Sequence, residues 1–582
     1  MYNYLVVSRT LVRKCLIKGG NLVLEQHLFT VFMVFKRLRT EVRDTEKASE
    51  NQVSNRFFHK NLLSCTKIKG MERLPNLPVG QQYFKPIREG NFIYVDKTQY
   101  IYELCHPIGK SYFLSRPRRF GKSLTLDTIN ELFSGNQALF KGLWIEDKWD
   151  WSQTFPVIRL SLDSIGHEEG FKEALLIALQ EIAADFELSL IAKSPGLGFK
   201  ELIKKIFQKT GKQVVILIDE YDKPIIDYID PYNLVKANKQ RDILKQFLSI
   251  LKGSSNHIRF LLITGVSKFA RVSIFSDLNH LTDLTLHKNF AALCGYTQTE
   301  LEHYFAPYLK TMPPDTLEKM KLWYNGYSWD GQTFVYNPFS VLNFFDRQTY
   351  SNFWFATGTP TFLIKLMRKR FEYKLEETEV SDLILESFIL EKFDELDLNS
   401  LLLQTGYLTI KEITEEGKFI LNYPNQEVKR AFGQFLLSEY THTRVSVPYG
   451  ADILEALNNN NVERVIAIIH SLIQAVPDQN YIKDEEKFFH AIVHLIFTMI
   501  GSDVRYEVHT PIGRIDSVVI TAERIFLFEF KLNESAEDAL QCIKDRNYVE
   551  HLRHLNKPIT AIGVSFSIKT KGVADWIKEE LL

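Results

Sequence analysis

Cysteine is scarce: five in 582 residues, and no two of them form a C-x-x-C pair. That excludes a disulfide scaffold and a zinc ribbon, and it fits a reducing cytoplasm as the expected location. Neither sign of charge is in excess. The 71 Lys and Arg balance the 71 Asp and Glu, which excludes a polybasic nucleic-acid coat and an acidic tail protein but leaves room for a local basic channel. No uncharged apolar run approaches the roughly 20 residues that span a bilayer. The longest candidate, 488–502, carries His490 and His494 and is expected to be a buried amphipathic helix, so no membrane partner is expected. The chain shows no fixed-period repeat and no low-complexity tract. Stretches rich in Gly or Ser that would serve as flexible linkers are few.

What is present is ordinary for a globular protein: 45% hydrophobic and 24% charged residues. The length allows about three or four domains. Residues 1–70 stand apart, with 13 Lys and Arg against 5 Asp and Glu and an irregular apolar pattern. They are expected to be either a basic tail or an upstream over-extension of a chain that starts at Met71. From 71 to 294 strand-like runs alternate with helical stretches, which predicts a mostly parallel, doubly wound sheet. The strands are expected at Ser111–Leu114, Val157–Leu162, Val214–Ile218 and Arg259–Ile263, and helices at Leu124–Phe133 and Phe171–Phe186. Residues 295–450 are mainly helical. Short runs at Gly406–Ile410 and Phe419–Asn422, followed by a helix at Gln426–Tyr440, suggest a winged-helix-like piece. Residues 451–582 end in a further α/β unit.

Two motifs carry chemistry in the first α/β block. Gly121-Lys122-Ser123 sits between an apolar strand and an amphipathic helix, the setting of a phosphate-binding loop. Backbone N–H groups at a helix N-terminus favour anionic phosphate. Lys122 would reach the β- and γ-phosphates of ATP, and Ser123 would ligate Mg²⁺. The usual first glycine is missing, since Arg116 occupies its place. The run "QVVILIDEYDKP" then reads as a buried parallel strand ending in Asp219-Glu220. Asp219 would hold Mg²⁺ through water and Glu220 would polarise the attacking water. The next strand ends near Thr264, Ser267 and Lys268, where a polar sensor would contact the γ-phosphate. Arg118, Arg119 and Arg271 are cations that could stabilise transferred-phosphate charge, though each taken singly fits a surface ion pair better.

The last unit holds a carboxylate–lysine set. Asp516 lies in the second of three strand-like runs. Glu529 and Lys531 lie two apart in the third, so period-two geometry puts them on one face, with Phe528 and Phe530 on the other. Phosphodiester hydrolysis needs a metal to neutralise developing charge and activate water. Asp516 and Glu529 are hard oxygen ligands suited to Mg²⁺, and Lys531 can orient the water. On the helix before these strands, Glu486, His490 and His494 share a face. The two histidines are expected to be satisfied helix residues and not zinc ligands.

In order along the chain, "YVDKTQYI", "RPRRFGKS", "LIDEYDKP", "ITGVSKFARVSIFSDLNHLTDLT", "WYNGYSW", "YNPFSV", "FWFATGTPTFL", "QTGYLTI" and "YPNQEV" resemble the bacterial AAA-ATPase-like proteins that carry a C-terminal PD-(D/E)XK nuclease domain. The resemblance covers about residues 75–582. It implies an AAA-like P-loop domain over 71–294, a helical connecting region over 295–450 and a PD-(D/E)XK nuclease-like domain over 451–582. It also implies that Glu486, before Phe489-His490, completes the metal site, and that Glu507 matches the pattern. One departure is clear: "ALQCIK" places Cys542 where the family has glutamine, with Gln541 one position earlier, about 100° away on a helix.

The expected function is therefore ATP binding and hydrolysis joined to metal-dependent cleavage of nucleic acid, DNA before RNA, with ATP and Mg²⁺ as cofactors and a homo-oligomer among the partners. Two rivals are open. One is a nucleotide-controlled signalling or interaction ATPase with an inactive nuclease fold. The other is a nuclease whose ATPase fold binds nucleotide without turnover.

Overall fold

A computed structural model describes residues 74–582, except 164, 166–169, 230–231, 268–280, 358–362, 364–377, 381–396, 442–447, 478–485, 501–502, 511–512, 547–548 and 582. The expectations for residues 1–70, Lys268 and Arg271 lie outside the described residues.

The first sheet is built from β1 (Lys110–Ser115), β2 (Val157–Ser161), β3 (Val214–Asp219), β4 (Ile258–Gly265) and β5 (Thr282–Asp283). Its order is β2-β3-β4-β1-β5, with every pairing parallel. Helix α1 (Lys122–Phe133) follows β1, α2 (Phe171–Asp185) and α3 (Pro195–Thr210) follow β2, and α4 (Leu234–Gly253) separates β3 from β4. β3 and β4 are buried at every position, which is why they read as unbroken Val/Ile/Leu runs rather than alternating ones. Because all strands run the same way, the loop after β1 and the acids after β3 come to one edge of the sheet, with β4 between them.

The middle of the chain contributes α5 (Pro338–Arg347), α6 (Leu398–Thr405), a three-stranded sheet and α7 (Gln426–Thr441). That sheet has the order β6-β8-β7, from β6 (Thr378–Val380), β7 (Thr409–Ile413) and β8 (Phe419–Asn422). β8 and the helix after it lie where the sequence places them, but β7 begins at Thr409 and not at Gly406, because Gly406 is the left-handed C-cap that ends α6. β6 is an added antiparallel partner to β8, too short to stand out in sequence.

Helices α8 (Pro448–Asn458), α9 (Val462–Gln474) and α10 (Glu486–Thr498) lead into β9 (Asp503–Thr510), β10 (Gly513–Ile520) and β11 (Ile525–Leu532). Then come α11 (Ala536–Asp545), β12 (Ile559–Ser567) and β13 (Gly572–Leu581). The sheet order is β13-β12-β11-β10-β9, with β11 and β12 parallel and the other pairs antiparallel. The parallel pair needs a crossover, and α11 lies in it. Phe526, Phe528 and Phe530 enter the main core beneath α10, where Phe528 meets Phe497 at 4.9 Å. Ile525 and Leu527 point the other way, into the core under α11 with Leu540 and Ile543. No described helix is long and apolar enough to cross a membrane.

Candidate functional sites

At the end of β1 the chain turns through residues 116–121 into α1. Gly121 is the N-cap of α1 at φ 99°, a conformation costly for any residue with a Cβ. Lys122 is buried, and its Nζ donates to the carbonyls of Arg116 at 2.8 Å and Pro117 at 3.0 Å. The ammonium thus rests on its own loop, beside the space a phosphate would fill. Ser123 Oγ donates to Asp219 Oδ2 at 2.6 Å, which joins the start of α1 to the end of β3. The other oxygen of Asp219 accepts from Thr264 Oγ1 at 2.5 Å and from the Glu220 N–H at 3.0 Å. Glu220 takes a left-handed φ of 49°, a strain of the kind stored at functional sites. Burial pushes its carboxyl up, with the Lys122 charge opposing and Asp219 adding to the rise.

A cavity of about 490 Å³ opens over this edge. Gly121, Lys122, Ser123 and Glu220 line it together with the apolar and aromatic Ile93, Tyr94 and Tyr296. A hydroxyl and a carboxylate in contact at a helix N-terminus, with a lysine beside them, fit a Mg²⁺–triphosphate group. Ser267 does not line the cavity. It is fully buried, its N–H donating to Asp222 Oδ2 at 2.6 Å and its carbonyl accepting from Tyr221 Oη at 2.9 Å. Thr264, on Asp219, is the β4 residue that reaches the acids.

Arg116, which replaces the usual glycine, does not face the cavity. It is fully buried and donates to the carbonyls of Ser115 and Thr285, both at 2.8 Å, and of Phe290 at 3.2 Å. Its guanidinium stacks 4.0 Å over the ring of Trp329. The loop is thus pinned by a side chain where the usual pattern relies on close backbone approach. Arg116→Gly should leave those acceptors without a charged donor and cost about 3 kcal/mol of stability, read as a lowered denaturant midpoint.

Glu427 lies within the run "YPNQEV", whose sequence gives no sign of the part its side chain plays. It is fully buried, accepting from the Trp354 N–H at 2.6 Å and paired with Ser340 Oγ at 2.7 Å. Burial pushes its carboxyl up to about 8. A raised carboxyl favours folding while protonated. Its contribution is complete below the ordinary value near 4.5 and is lost as pH rises through about 8. Glu427→Gln, which stays neutral, should flatten the fall in melting temperature between pH 5 and pH 9.

In the last unit, Asp516 and Glu529 lie on paired strands and face one another. Asp516 Oδ2 accepts from the Phe530 N–H at 2.9 Å. Glu529 is 2% exposed, and its Oε2 has no hydrogen-bond partner, an unusual state for a buried polar atom. Burial pushes the carboxyls of both up, and each also feels a neighbouring acid: Asp516 raises Glu529, to about 7, and Glu486 raises Asp516. His490 Nε2 lies 3.5 Å from Glu486 Oε1 and 3.9 Å from Asp516 Oδ2, so Glu486 is brought to the same end of the sheet. The charge of Lys531 bears on both Glu486 and Glu529. Among the described residues no three His, Cys, Asp or Glu side chains close into a ligand cage. A buried carboxylate with an orphaned oxygen, facing a half-buried one, nevertheless fits Mg²⁺, which is usually held by one or two carboxylates with the rest water and substrate oxygens.

Arg546 is the residue that sequence reasoning misses here. Its Nη1 donates to Glu529 Oε1 at 3.3 Å and to the Arg514 carbonyl at 2.8 Å. It lies one turn beyond Cys542, so stepping four residues along α11 would have found it. Gln541 is exposed and turns its amide to Asp545 at 2.6 Å, away from the acids as the helical offset predicts. Cys542 is half-buried. His494 is buried with its ring tilted 39° against that of Tyr506, centroids 3.7 Å apart. Glu507 falls on β9, and its side chain lies outside the described residues.

A family model described as predicted AAA-ATPase matches residues 78–275. A second, for the PD-(D/E)XK nuclease superfamily, matches residues 484–576. The chain is also similar to a protein of Azotobacter chroococcum mcd 1 described as an uncharacterized protein in the vnfD 5′ region. The two are 38% identical over 524 residues, 87% of this chain and 99% of that protein.

Proposed function

Because this chain belongs to the predicted AAA-ATPases that end in a PD-(D/E)XK nuclease-superfamily domain, we propose that it hydrolyses ATP at one site and cleaves nucleic acid, DNA in the first instance, at the other. The observation that carries the proposal is the Asp516–Glu529 pair, two carboxyls forced together in a buried place with one oxygen left unpartnered. Like charges held this close disfavour one another unless a cation joins them, and such perturbed groups cluster at functional sites. Asp516, Glu529 and Glu486 are the proposed ligands. A divalent cation there would neutralise charge developing on the phosphodiester and activate a water. Lys531 orients that water, and Arg546, now on Glu529, is placed to meet a non-bridging phosphate oxygen.

At the nucleotide site, Lys122 would exchange the loop carbonyls for the phosphates, and Ser123 and Asp219 would hold Mg²⁺. Glu220 accepts the proton of the attacking water; its raised carboxyl is suited to that task near neutral pH. Phosphate release and DNA cleavage measured side by side on purified protein test the proposal. Cleavage without phosphate release would favour a nucleotide site that binds without turnover. Phosphate release without cleavage would favour the inactive nuclease fold.

A further inference from the structure

The phosphate-binding loop is gripped from the middle of the chain. Pro117 packs on Gly406, where an added Cβ would lie 2.7 Å from its ring. The Arg118 carbonyl accepts from Trp354 Nε1 at 2.9 Å. Arg119 lies 5.3 Å from the ring of Phe339, and Phe120 meets Tyr327 edge-on at 4.7 Å. Trp354 is held at a second point, since its N–H donates to Glu427 Oε1 at 2.6 Å.

Glu427 is the second residue of α7, and α7 packs along α10. The two helices approach closely at Gly433, where an added Cβ would lie 3.1 Å from Thr498. Helix α10 begins at Glu486. An unbroken line of buried contacts therefore runs from the Arg118 peptide through Trp354 and Glu427 into α7 and α10.

The Arg118 carbonyl and the Arg119 N–H belong to one planar trans peptide and point in opposite directions. Fixing the carbonyl on Trp354 aims the Arg119 N–H away from Trp354, and Arg119 lines the nucleotide cavity. A phosphate that draws on this N–H also draws on Trp354. The partners behind Trp354 are close-packed and shift as a unit rather than yielding smoothly.

We propose that Trp354 and Glu427 are positioning residues of the nucleotide site, and that through α7 they couple nucleotide binding to the helix that carries Glu486. The inference rests on the reading of the loop as a Mg²⁺–ATP site and does not depend on the nuclease reading. Coupling of this kind is reciprocal, so a ligand at the acid cluster shifts nucleotide affinity by the same factor.

Amide hydrogen exchange of the full chain, with and without Mg²⁺–ATPγS, tests it. In the wild type, saturating nucleotide should slow exchange about fivefold across 426–441 and 486–498 as well as in α1. Trp354→Phe keeps a ring against Tyr407, whose centroid lies 5.4 Å from that of Trp354, and removes the indole donor. It should weaken the ATPγS Kd about fivefold, the loss of one hydrogen bond. At saturation, exchange should still slow in α1 but no longer in the two helices. Glu427→Gln keeps the shape and an accepting oxygen and should behave as the wild type, whereas Glu427→Ala should behave as Trp354→Phe. A purely architectural role would speed exchange in both helices equally with and without nucleotide. The inference is overturned if the wild type binds ATPγS with no change in the two helices, or if Trp354→Phe keeps the change. Absence of ATPγS binding by the wild type would overturn the nucleotide-site reading and the inference with it. The wild-type comparison decides the matter alone should a variant fail to fold.

Discussion

Asp516→Asn is expected to abolish metal-dependent DNA cleavage while leaving the fold intact. Asparagine keeps an oxygen that accepts from the Phe530 N–H, so the β10–β11 contact survives. What is lost is the charge that holds the cation. Metal stabilisation of a phosphodiester transition state amounts to several kcal/mol, and about 1.4 kcal/mol is tenfold in rate. A loss of at least about a hundredfold follows. Glu529→Gln should do the same. Each change also removes one of two like charges from a buried place, so the metal-free protein should melt higher than the wild type. Loss of cleavage together with gain of stability is the signature, because a merely disrupted fold would lose both. Lys531→Ala should bind Mg²⁺ as tightly as the wild type and cleave poorly, since it removes a water-orienting group and not a ligand. Titration calorimetry with Mg²⁺ alongside the cleavage assay separates these classes.

The second large effect is at the nucleotide site, where binding and turnover should part. Lys122→Ala removes a charged donor to the phosphates. Hydrogen bonds to charged groups are worth about 1.5–3 kcal/mol, so the ATP Kd should weaken about ten- to a hundredfold. It also strips the carbonyls of Arg116 and Pro117 of their donor, so some loss of stability accompanies it. Glu220→Gln keeps the size of the side chain and the left-handed backbone, and removes the base. Binding should hold while hydrolysis slows about a hundred- to a thousandfold. Equal losses of binding in both variants would contradict the assigned roles.

The α/β order of the first block is legible because β3 and β4 are covered on both faces and leave an unmistakable apolar run. The two candidate sites are legible for the same reason: a charged residue ending or interrupting such a run stands out, as Asp219 and Glu529 do. α3 is harder, because it opens on Ser194-Pro195-Gly196-Leu197-Gly198, which reads as a loop although proline is well tolerated in a first helical turn. β13 is an edge strand with Lys578, Glu579 and Glu580 at its end. Such charges guard an edge against further pairing, but they also hide the strand from a hydrophobic pattern. Arg116 shows the limit of motif reasoning. Against the usual loop it looks like a defect, and only its buried carbonyl partners and Trp329 show it to be a brace. Glu427 and Arg546 act across long sequence separations, on Trp354 and Glu529, which local spacing does not record.

Two separate hydrolytic sites on one chain should be separable by a single substitution. The most direct test is a single reaction with Mg²⁺, ATP and plasmid DNA, followed for both phosphate release and DNA cleavage, in the wild type and in Glu529→Gln. The wild type should do both, and the variant should release phosphate at close to the wild-type rate and leave the DNA intact. Undiminished cleavage by Glu529→Gln, or DNA left intact by the wild type, would contradict the account.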